Sequence, residues 1–367
     1  MDVRFKQAPI WPVLGAWLLL VATWFGYAAV CCLILHVIGV WWLPWWLGFT
    51  PVALAIAAGW MGWSDKTVPA TVTPADDHED ARLYAVVERV AALFGRDVPS
   101  MMVIETDAPN SVVLEPDDAA RPTLYVSRGL LERLDNEQLQ TVVAHEFAHM
   151  THRDAKVLAF ARGTAMWVVV LPTLLFVAIS YLEVPCCIVA RCCGRPWSSS
   201  SERITEADLK EHPPRRRLPL MLAVPLLVAA WLVRVAVWIV LLTVGVAMLL
   251  AGFVLMLPGF AAANRLARRR ELAADRAAAD MTGAPATLAA ALGTIEGGMH
   301  TAPSADLRSL ASMSPLAIVP FARPAEEGHD DWMDRRLAWA NRTHPPMHRR
   351  MDQLARLSRR MGAGASR

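Results

Sequence analysis

Three long apolar stretches alternate with polar stretches along the chain, at residues 10–63, 157–190 and 218–263. A helix needs roughly 20 apolar residues to cross a bilayer, so residues 10–63 have room for two spans. Residues 157–190 predict one span, interrupted by the charges of Arg162 and Glu183. Residues 218–263 permit either one long, partly interfacial helix or two spans.

The polar stretches carry the patterns of a small folded domain. Residues 64–74 are typical of a linker, and residues 76–95 place apolar side chains at the spacing of an amphipathic helix. Short β-rich runs then predict a small sheet, at residues 101–105, 111–115 and 123–127. The pattern as a whole indicates a mainly α, polytopic membrane protein with a small β-sheet.

Composition supports the membrane assignment and reduces the range of candidate binding partners. The chain is 55% hydrophobic and only 19% charged, which differs from the usual composition of a soluble protein and makes the lipid bilayer a partner. A net charge of +2 gives no support for nucleic acid, which we exclude as a partner. The six cysteines form three adjacent pairs in or beside apolar runs, where we interpret them as packing residues.

The most informative motif is His145-Glu146-Phe147-Ala148-His149, an H-E-x-x-H pattern. Asp135 and Gln138 form a capping box that predicts the start of its helix. On a helix the two histidines lie one turn apart on one face, where both rings can bind a single metal. Glu146 would then lie beside a metal-bound water, as a general base requires.

A catalytic zinc needs a third protein ligand, and Glu271 is the best candidate in the remaining sequence. Asp275 lies one turn further along the same predicted helix, where it could accept the free ring N–H of a ligand histidine. Arginines surround both residues, so a solvated charged helix face is the competing interpretation of this pair.

The order of motifs resembles that of the HtpX-type membrane metalloproteases, relatives of the CAAX prenyl proteases. The resemblance rests on the H-E-x-x-H helix, a membrane insertion, the segment Arg270-Glu271-Leu272-Ala273-Ala274-Asp275, and a late segment from Thr343 to Arg350. It implies a gluzincin-like peptidase domain that binds one zinc ion per chain, with Glu271 as the third ligand.

The resemblance also implies roles for three further residues. Asn110 matches an asparagine that binds the substrate main chain at the sheet edge, although this chain continues with Ser111-Val112 where the family usually has Ala-Phe. His344 and Arg350 match residues that stabilise the oxyanion and hold the metal site together.

These predictions divide the chain into four parts. Residues 1–63 form two N-terminal transmembrane helices, and residues 64–156 form the first part of the peptidase domain. Residues 157–263 form a membrane insertion of two segments with a polar loop at residues 191–217. Residues 264–367 complete the peptidase domain.

The membrane insertion constrains topology, because Glu271 must return to the membrane face that carries His145. An even number of crossings between them gives four transmembrane helices in total, with one in residues 218–263. Basic residues at both ends of the membrane segments favour the cytoplasmic face of a bacterial plasma membrane for the catalytic domain. The seven Lys and Arg residues in residues 191–217 disagree with this orientation.

The sequence thus predicts a membrane-embedded zinc endopeptidase that hydrolyses misfolded or membrane proteins. The main alternative is a zinc-binding membrane sensor or scaffold without proteolytic activity, against which the intact Glu146 argues. A transporter is a weaker alternative, because most of the predicted spans lack ionisable residues.

Overall fold

The computed structural model describes residues 72–114, 121–152, 154–193, 219–303, 317–320 and 343–365, with scattered positions between residues 18 and 57. Most of the two predicted N-terminal spans, most of the predicted linker and most of the polar loop therefore lie outside the described residues. The strands are β1 Val72–Pro74, β2 Ser100–Ile104, β3 Ser111–Leu114 and β4 Thr123–Ser127. The helices are α1 Ala81–Phe94, α2 Arg128–Arg133, α3 Asn136–His152, α4 Asp154–Ser180, α5 Glu183–Cys192, α6 Leu220–Val240, α7 Val246–Thr282, α8 Pro285–Thr301 and α9 Met347–Ala365.

The predicted small sheet is confirmed, and it gains one strand. Its order is β1-β2-β4-β3, with β2 and β4 parallel and the other two pairs antiparallel. The added strand, β1, contains the last residues of the segment that the sequence predicted as a linker. Strand β3 lies at one edge of the sheet, so the outer side of its backbone faces away from β4.

Helix α3 lies in the hydrophobic core and packs against α1, α8 and β3. The predicted capping box opens it, since the Gln138 backbone N–H donates to the Asp135 carboxylate over 2.8 Å and the Asp135 N–H donates back to the Gln138 side chain. The apolar face of α1 packs on it, with Phe94 and Phe147 ring centroids 5.8 Å apart. Burying side chains of this size stabilises the fold by about 1.5–3 kcal/mol each.

Residue contacts divide the chain into two compact units, Met1–Thr164 with Pro258–Arg367, and Ala165–Leu257. The first unit holds the sheet and the helices that pack on it. The second is dominated by apolar helices, and α5 packs against α6 within it. Its buried Glu183 carboxylate lies 3.8 Å from Arg234, so two charges in the apolar stretches are close enough to attract each other.

The described residues contain two helical segments long and apolar enough to cross a membrane, Met221–Thr243 and Leu249–Thr282. A π-helical turn, Leu241–Gly245, joins α6 to α7, and the backbone stays helical from residue 220 to residue 282. Residues 157–190, predicted as one span, lie in two helices, α4 and α5, which a turn at Tyr181 and Leu182 separates. Four spans therefore remain a prediction.

Substitution of Gly129 tests the packing between α2 and the loop before β3. A methyl group added there would lie 2.6 Å from the carbonyl carbon of Asp107, and backbone atoms cannot move aside as a flexible side chain can. We expect Gly129→Ala to destabilise the full chain by about 1–3 kcal/mol, measured by thermal unfolding in detergent.

Gly293→Ala is the matched control. Gly293 lies inside α8 with no atom within 4 Å of an added methyl group. This substitution should stabilise the chain by about 0.5–1 kcal/mol, because alanine restricts the unfolded chain more than glycine does. Equal effects of the two substitutions would contradict the described packing at Gly129.

Candidate active site

Helix α3 presents the three polar residues of the H-E-x-x-H motif to one buried site. His145 and Glu146 are 0% and 1% exposed, so the helix places an imidazole and a carboxylate inside the core. The Nε2 atoms of His145 and His149 lie 3.1 Å apart. The helical spacing therefore brings the two rings together as the sequence predicts.

Glu271 reaches the same point from α7. Its Oε1 atom lies 3.4 Å from the His149 Nε2 atom, and its Oε2 atom lies 3.7 Å from the His145 Nε2 atom. Ligand atoms of these three residues all lie within 4.8 Å of one another. The competing interpretation of Glu271 as a solvated surface residue is wrong, since its side chain is buried.

The donor set fits a zinc ion. Bonds of about 2.0–2.1 Å in tetrahedral geometry place neighbouring donor atoms about 3.3 Å apart, close to the separations measured between the three side chains. The buried Oε2 atom of Glu271 has no hydrogen-bond partner among the described residues, which leaves it free for a cation. Two imidazoles and one carboxylate are also the ligands that catalytic zinc sites use.

Asp275 lies one turn beyond Glu271 and contacts the other nitrogen of a candidate ligand. Its Oδ1 atom is 3.0 Å from the His145 Nδ1 atom, where the sequence places an orienting carboxylate. Arg350 of α9 donates two hydrogen bonds to the same carboxylate, over 2.6 and 2.8 Å. All three side chains are nearly inaccessible to solvent, so α3, α7 and α9 meet in one buried polar network.

His149 has an equivalent network, which the sequence analysis missed. Its Nδ1 atom lies 2.8 Å from the Oδ2 atom of Asp154, the first residue of α4. The other carboxylate oxygen of Asp154 lies 2.6 Å from the Nε atom of Arg270. The sequence signal for this contact was the carboxylate of Asp154, five residues after the second histidine. The orientation of that carboxylate depends on where α3 ends and α4 begins.

Glu146 accepts a hydrogen bond from the edge strand. The Ser111 hydroxyl on β3 donates to the Glu146 Oε1 atom over 2.7 Å. Ser111 is also the position at which the family that this chain resembles usually has alanine. The departure adds a hydroxyl that orients the candidate general base.

The edge of β3 is already in contact with another part of the chain. The Ile318 backbone N–H donates to the Ser111 carbonyl over 3.2 Å. The Asn110 side-chain amide donates to the Val319 carbonyl over 2.6 Å, and its oxygen accepts from the Val319 N–H over 3.4 Å. Residues 317–319 thus make main-chain contacts at the edge where the sequence predicts a substrate.

His344 and Arg350 contact the same short segment. The His344 Nε2 atom donates to the Ala317 carbonyl over 2.8 Å, and an Arg350 guanidinium nitrogen donates to the Ile318 carbonyl over 2.7 Å. His344 therefore points a ring nitrogen at a peptide carbonyl, as its predicted oxyanion role requires, but here the carbonyl belongs to the chain itself.

The electrostatics of the site favour a bound cation. Burial raises the pKa of Glu146. Burial opposes the charged form of His149, but the nearby carboxylates of Glu271 and Asp154 outweigh it and raise the pKa of this histidine. Burial lowers the pKa of His344, which keeps its ring neutral. The excess of carboxylates beside His149 would stabilise a divalent metal ion in the same way.

Comparisons with known proteins agree with this geometry. The model of peptidase family M48 matches residues 77–185 and 210–358. A "Protease HtpX homolog 1" of Streptomyces coelicolor is 29% identical over 288 residues, which cover 77% of this chain and 73% of the relative. A "Protease HtpX homolog 2" of Methanosarcina acetivorans is 27% identical over 323 residues, covering 86% of this chain and 87% of the relative.

A "Protease HtpX homolog" of Moorella thermoacetica is similar over a comparable range, with 26% identity across 283 residues, 77% of this chain and 74% of the relative. The family match covers most of the chain and includes the H-E-x-x-H helix, Glu271 and the His344 segment. The chain therefore belongs to peptidase family M48 and is an HtpX-type metalloprotease.

Proposed function

We propose that the chain is an integral membrane zinc endopeptidase that cleaves misfolded or membrane proteins. The observation that carries this proposal is the buried convergence of His145, His149 and Glu271 beside the carboxylate of Glu146. A structural zinc site needs no base next to its ligands, whereas peptide hydrolysis does.

His145, His149 and Glu271 would hold one zinc ion per chain. When bound, zinc supplies Lewis acidity, which lowers the pKa of a coordinated water and polarises a peptide carbonyl. Asp275 and Asp154 fix the ring orientation of the two histidines, so that each Nε2 atom faces the shared site. Arg350 and Arg270 hold these two aspartates in place.

Glu146 would act as the general base and then as a general acid. It removes a proton from the attacking water and later transfers that proton to the leaving amine. Its carboxylate lies buried beside the three proposed ligands, where it can accept a proton from water and release it again to the amine. The hydrogen bond from Ser111 fixes one carboxylate oxygen and leaves the other to handle the proton.

His344 would donate a hydrogen bond to the oxyanion that forms at the scissile carbonyl. The contact of His344 with the Ala317 carbonyl supports this role, because it has the donor and acceptor types that the reaction needs. Arg350 would act as a positioning residue, through Asp275 and the Ile318 carbonyl.

Asn110 and the edge of β3 would bind the substrate main chain in an extended conformation. Residues 317–319 support this assignment, since they show that the edge accepts backbone N–H and carbonyl groups. A substrate strand would have to take their place at Asn110, so these residues would compete with substrates for the edge.

The membrane part would contain four transmembrane helices in a bacterial plasma membrane. Two fall in residues 1–63 and two in residues 157–263, and this even number returns residues 264–367 to the face that carries residues 64–156. Basic residues near the ends of the spans favour the cytoplasmic face for the peptidase domain. The two apolar segments of α6 and α7 support the membrane assignment.

Replacing the general base should abolish hydrolysis without removing the metal. We expect Glu146→Gln to lower casein or membrane-protein cleavage by the purified chain by about 10²–10⁴-fold, because no other side chain replaces the lost base. Zinc content, measured on the same sample, should stay near one ion per chain.

Glu137→Gln is the matched control for this experiment. Glu137 lies exposed in the first turn of the same helix, so its substitution should leave cleavage unchanged. Equal turnover by the Glu146→Gln protein and the wild-type chain would end the endopeptidase proposal.

Zinc affinity should fall in a graded series across the proposed ligands and the residues that orient them. Glu271→Gln removes a ligand charge and should leave little metal after dialysis. Asp154→Asn keeps all three proposed ligands but weakens the orientation of His149 and the pairing with Arg270, so it should lower zinc affinity by about 10–100-fold. Competition with a zinc-binding dye measures both effects, and Glu137→Gln should match the wild type. Wild-type zinc affinity in Glu271→Gln would contradict the proposed ligand set.

A further inference from the structure

A basic groove lies between α7 and α9, away from the candidate zinc ligands. Its volume is about 570 Å³, and Gln353 of α9 donates to the Leu272 carbonyl of α7 across it, over 2.6 Å. Five arginines and a single acidic residue supply the charges of its lining: Arg265, Arg268, Arg269, Arg349, Arg356 and Asp352.

The positive charge of the groove is poorly compensated by the residues that the structure describes. Arg265, Arg269, Arg349 and Arg356 are exposed and form no ion pair with the part of the chain that the structure describes. These four guanidinium groups around one groove repel each other, and one carboxylate cannot neutralise them. The positive charge of the groove therefore suits a ligand that carries at least one full negative charge.

The position of the groove along α7 indicates which anion it meets. Residues 246–263 of this helix carry no charge, and Arg265 is the first basic residue after them. If the single span proposed for residues 218–263 ends at the apolar limit near residue 263, Arg265, Arg268 and Arg269 follow within about two turns of the hydrocarbon boundary. Lipid phosphate groups occupy this depth, whereas soluble anions are dilute there.

We propose that this groove binds the headgroups of anionic phospholipids. Guanidinium groups bind phosphate oxygens through paired N–H donors, and basic pockets beside transmembrane helices are suited to anionic headgroups. The exposed arginines come from both helices, so one headgroup can contact α7 and α9 together.

The proposed lipid site is coupled by structure to the peptidase site, although it does not depend on catalysis. Arg349 precedes Arg350, which binds Asp275, and Leu272 follows Glu271 on the other wall of the groove. An anionic headgroup between the helices would neutralise their mutual repulsion and favour the α7–α9 pairing that holds Asp275 and Arg350 together. Bound lipid should therefore stabilise the folded peptidase unit.

The test uses the purified full chain in a neutral detergent, with thermal unfolding and bound lipid as the two measurements. Phosphatidylglycerol should raise the unfolding temperature with saturation and bind tightly, while phosphatidylcholine at the same concentration should not. Arg265→Gln/Arg356→Gln removes one charge from each wall and should weaken phosphatidylglycerol binding by about 25-fold, or about fivefold for each charge.

Arg359→Gln/Arg360→Gln is the control with the same charge change. Both arginines are exposed on α9 but do not line the groove, so this variant should bind phosphatidylglycerol within twofold of the wild type. If both double variants lose affinity equally, phosphatidylglycerol is attracted to the charged surface in general and does not bind in the groove, and the proposal is wrong. Equal stabilisation by inorganic phosphate would identify a free-anion site instead of a lipid site, and unchanged binding in Arg265→Gln/Arg356→Gln would overturn the proposal outright.

The unfolding temperature without lipid shows whether a variant that loses lipid binding is still folded. Both arginines replaced in the groove variant are exposed, so its lipid-free unfolding temperature should equal that of the wild type or exceed it. If that variant fails to fold, Arg349→Gln alone provides the second measurement, with an expected fivefold loss of phosphatidylglycerol affinity.

Discussion

The site depends first on the buried ion pair between Asp275 and Arg350. Its two charges are almost completely removed from water, so either charge alone would be strongly unfavourable, at a cost of about 3–5 kcal/mol. The pair also does more than neutralise charge, because Asp275 contacts His145 and Arg350 binds the Ile318 carbonyl. One interaction therefore fixes α3, α7, α9 and the segment at the edge of β3 relative to one another within the peptidase unit.

Each of the two histidines is held by an aspartate and an arginine in the same arrangement. Each ring nitrogen that faces away from the shared site lies against an aspartate, and each aspartate pairs with an arginine. The second arrangement joins the start of α4 to α7 through Asp154 and Arg270. Because both arrangements involve α7, the helix that carries Glu271 is fixed on both sides of that residue.

The sequence predicted those parts of the site that depend on local helical spacing. His145 and His149, or Glu271 and Asp275, lie one turn apart on any α-helix, so their pairing follows from the backbone alone. Asp154 was missed because its contact with His149 depends on the break between two helices. The Asn110 contacts join residues 209 positions apart, and no local pattern encodes that separation. The position of the turn that separates α4 from α5 was not specified for a related reason, since an apolar run predicts burial in lipid but not where the helix ends.

Strand β3 has one further consequence, which concerns the stability of the protein in solution and not its chemistry. The edge strand of a sheet offers unpaired N–H and carbonyl groups to any extended chain, including the same strand of a second molecule. The edge that we propose for substrate binding is therefore also a place where the protein could self-associate. By keeping residues 317–319 against Asn110 and Ser111, the chain covers this edge with its own backbone, which opposes pairing of β3 with the same strand of a second molecule.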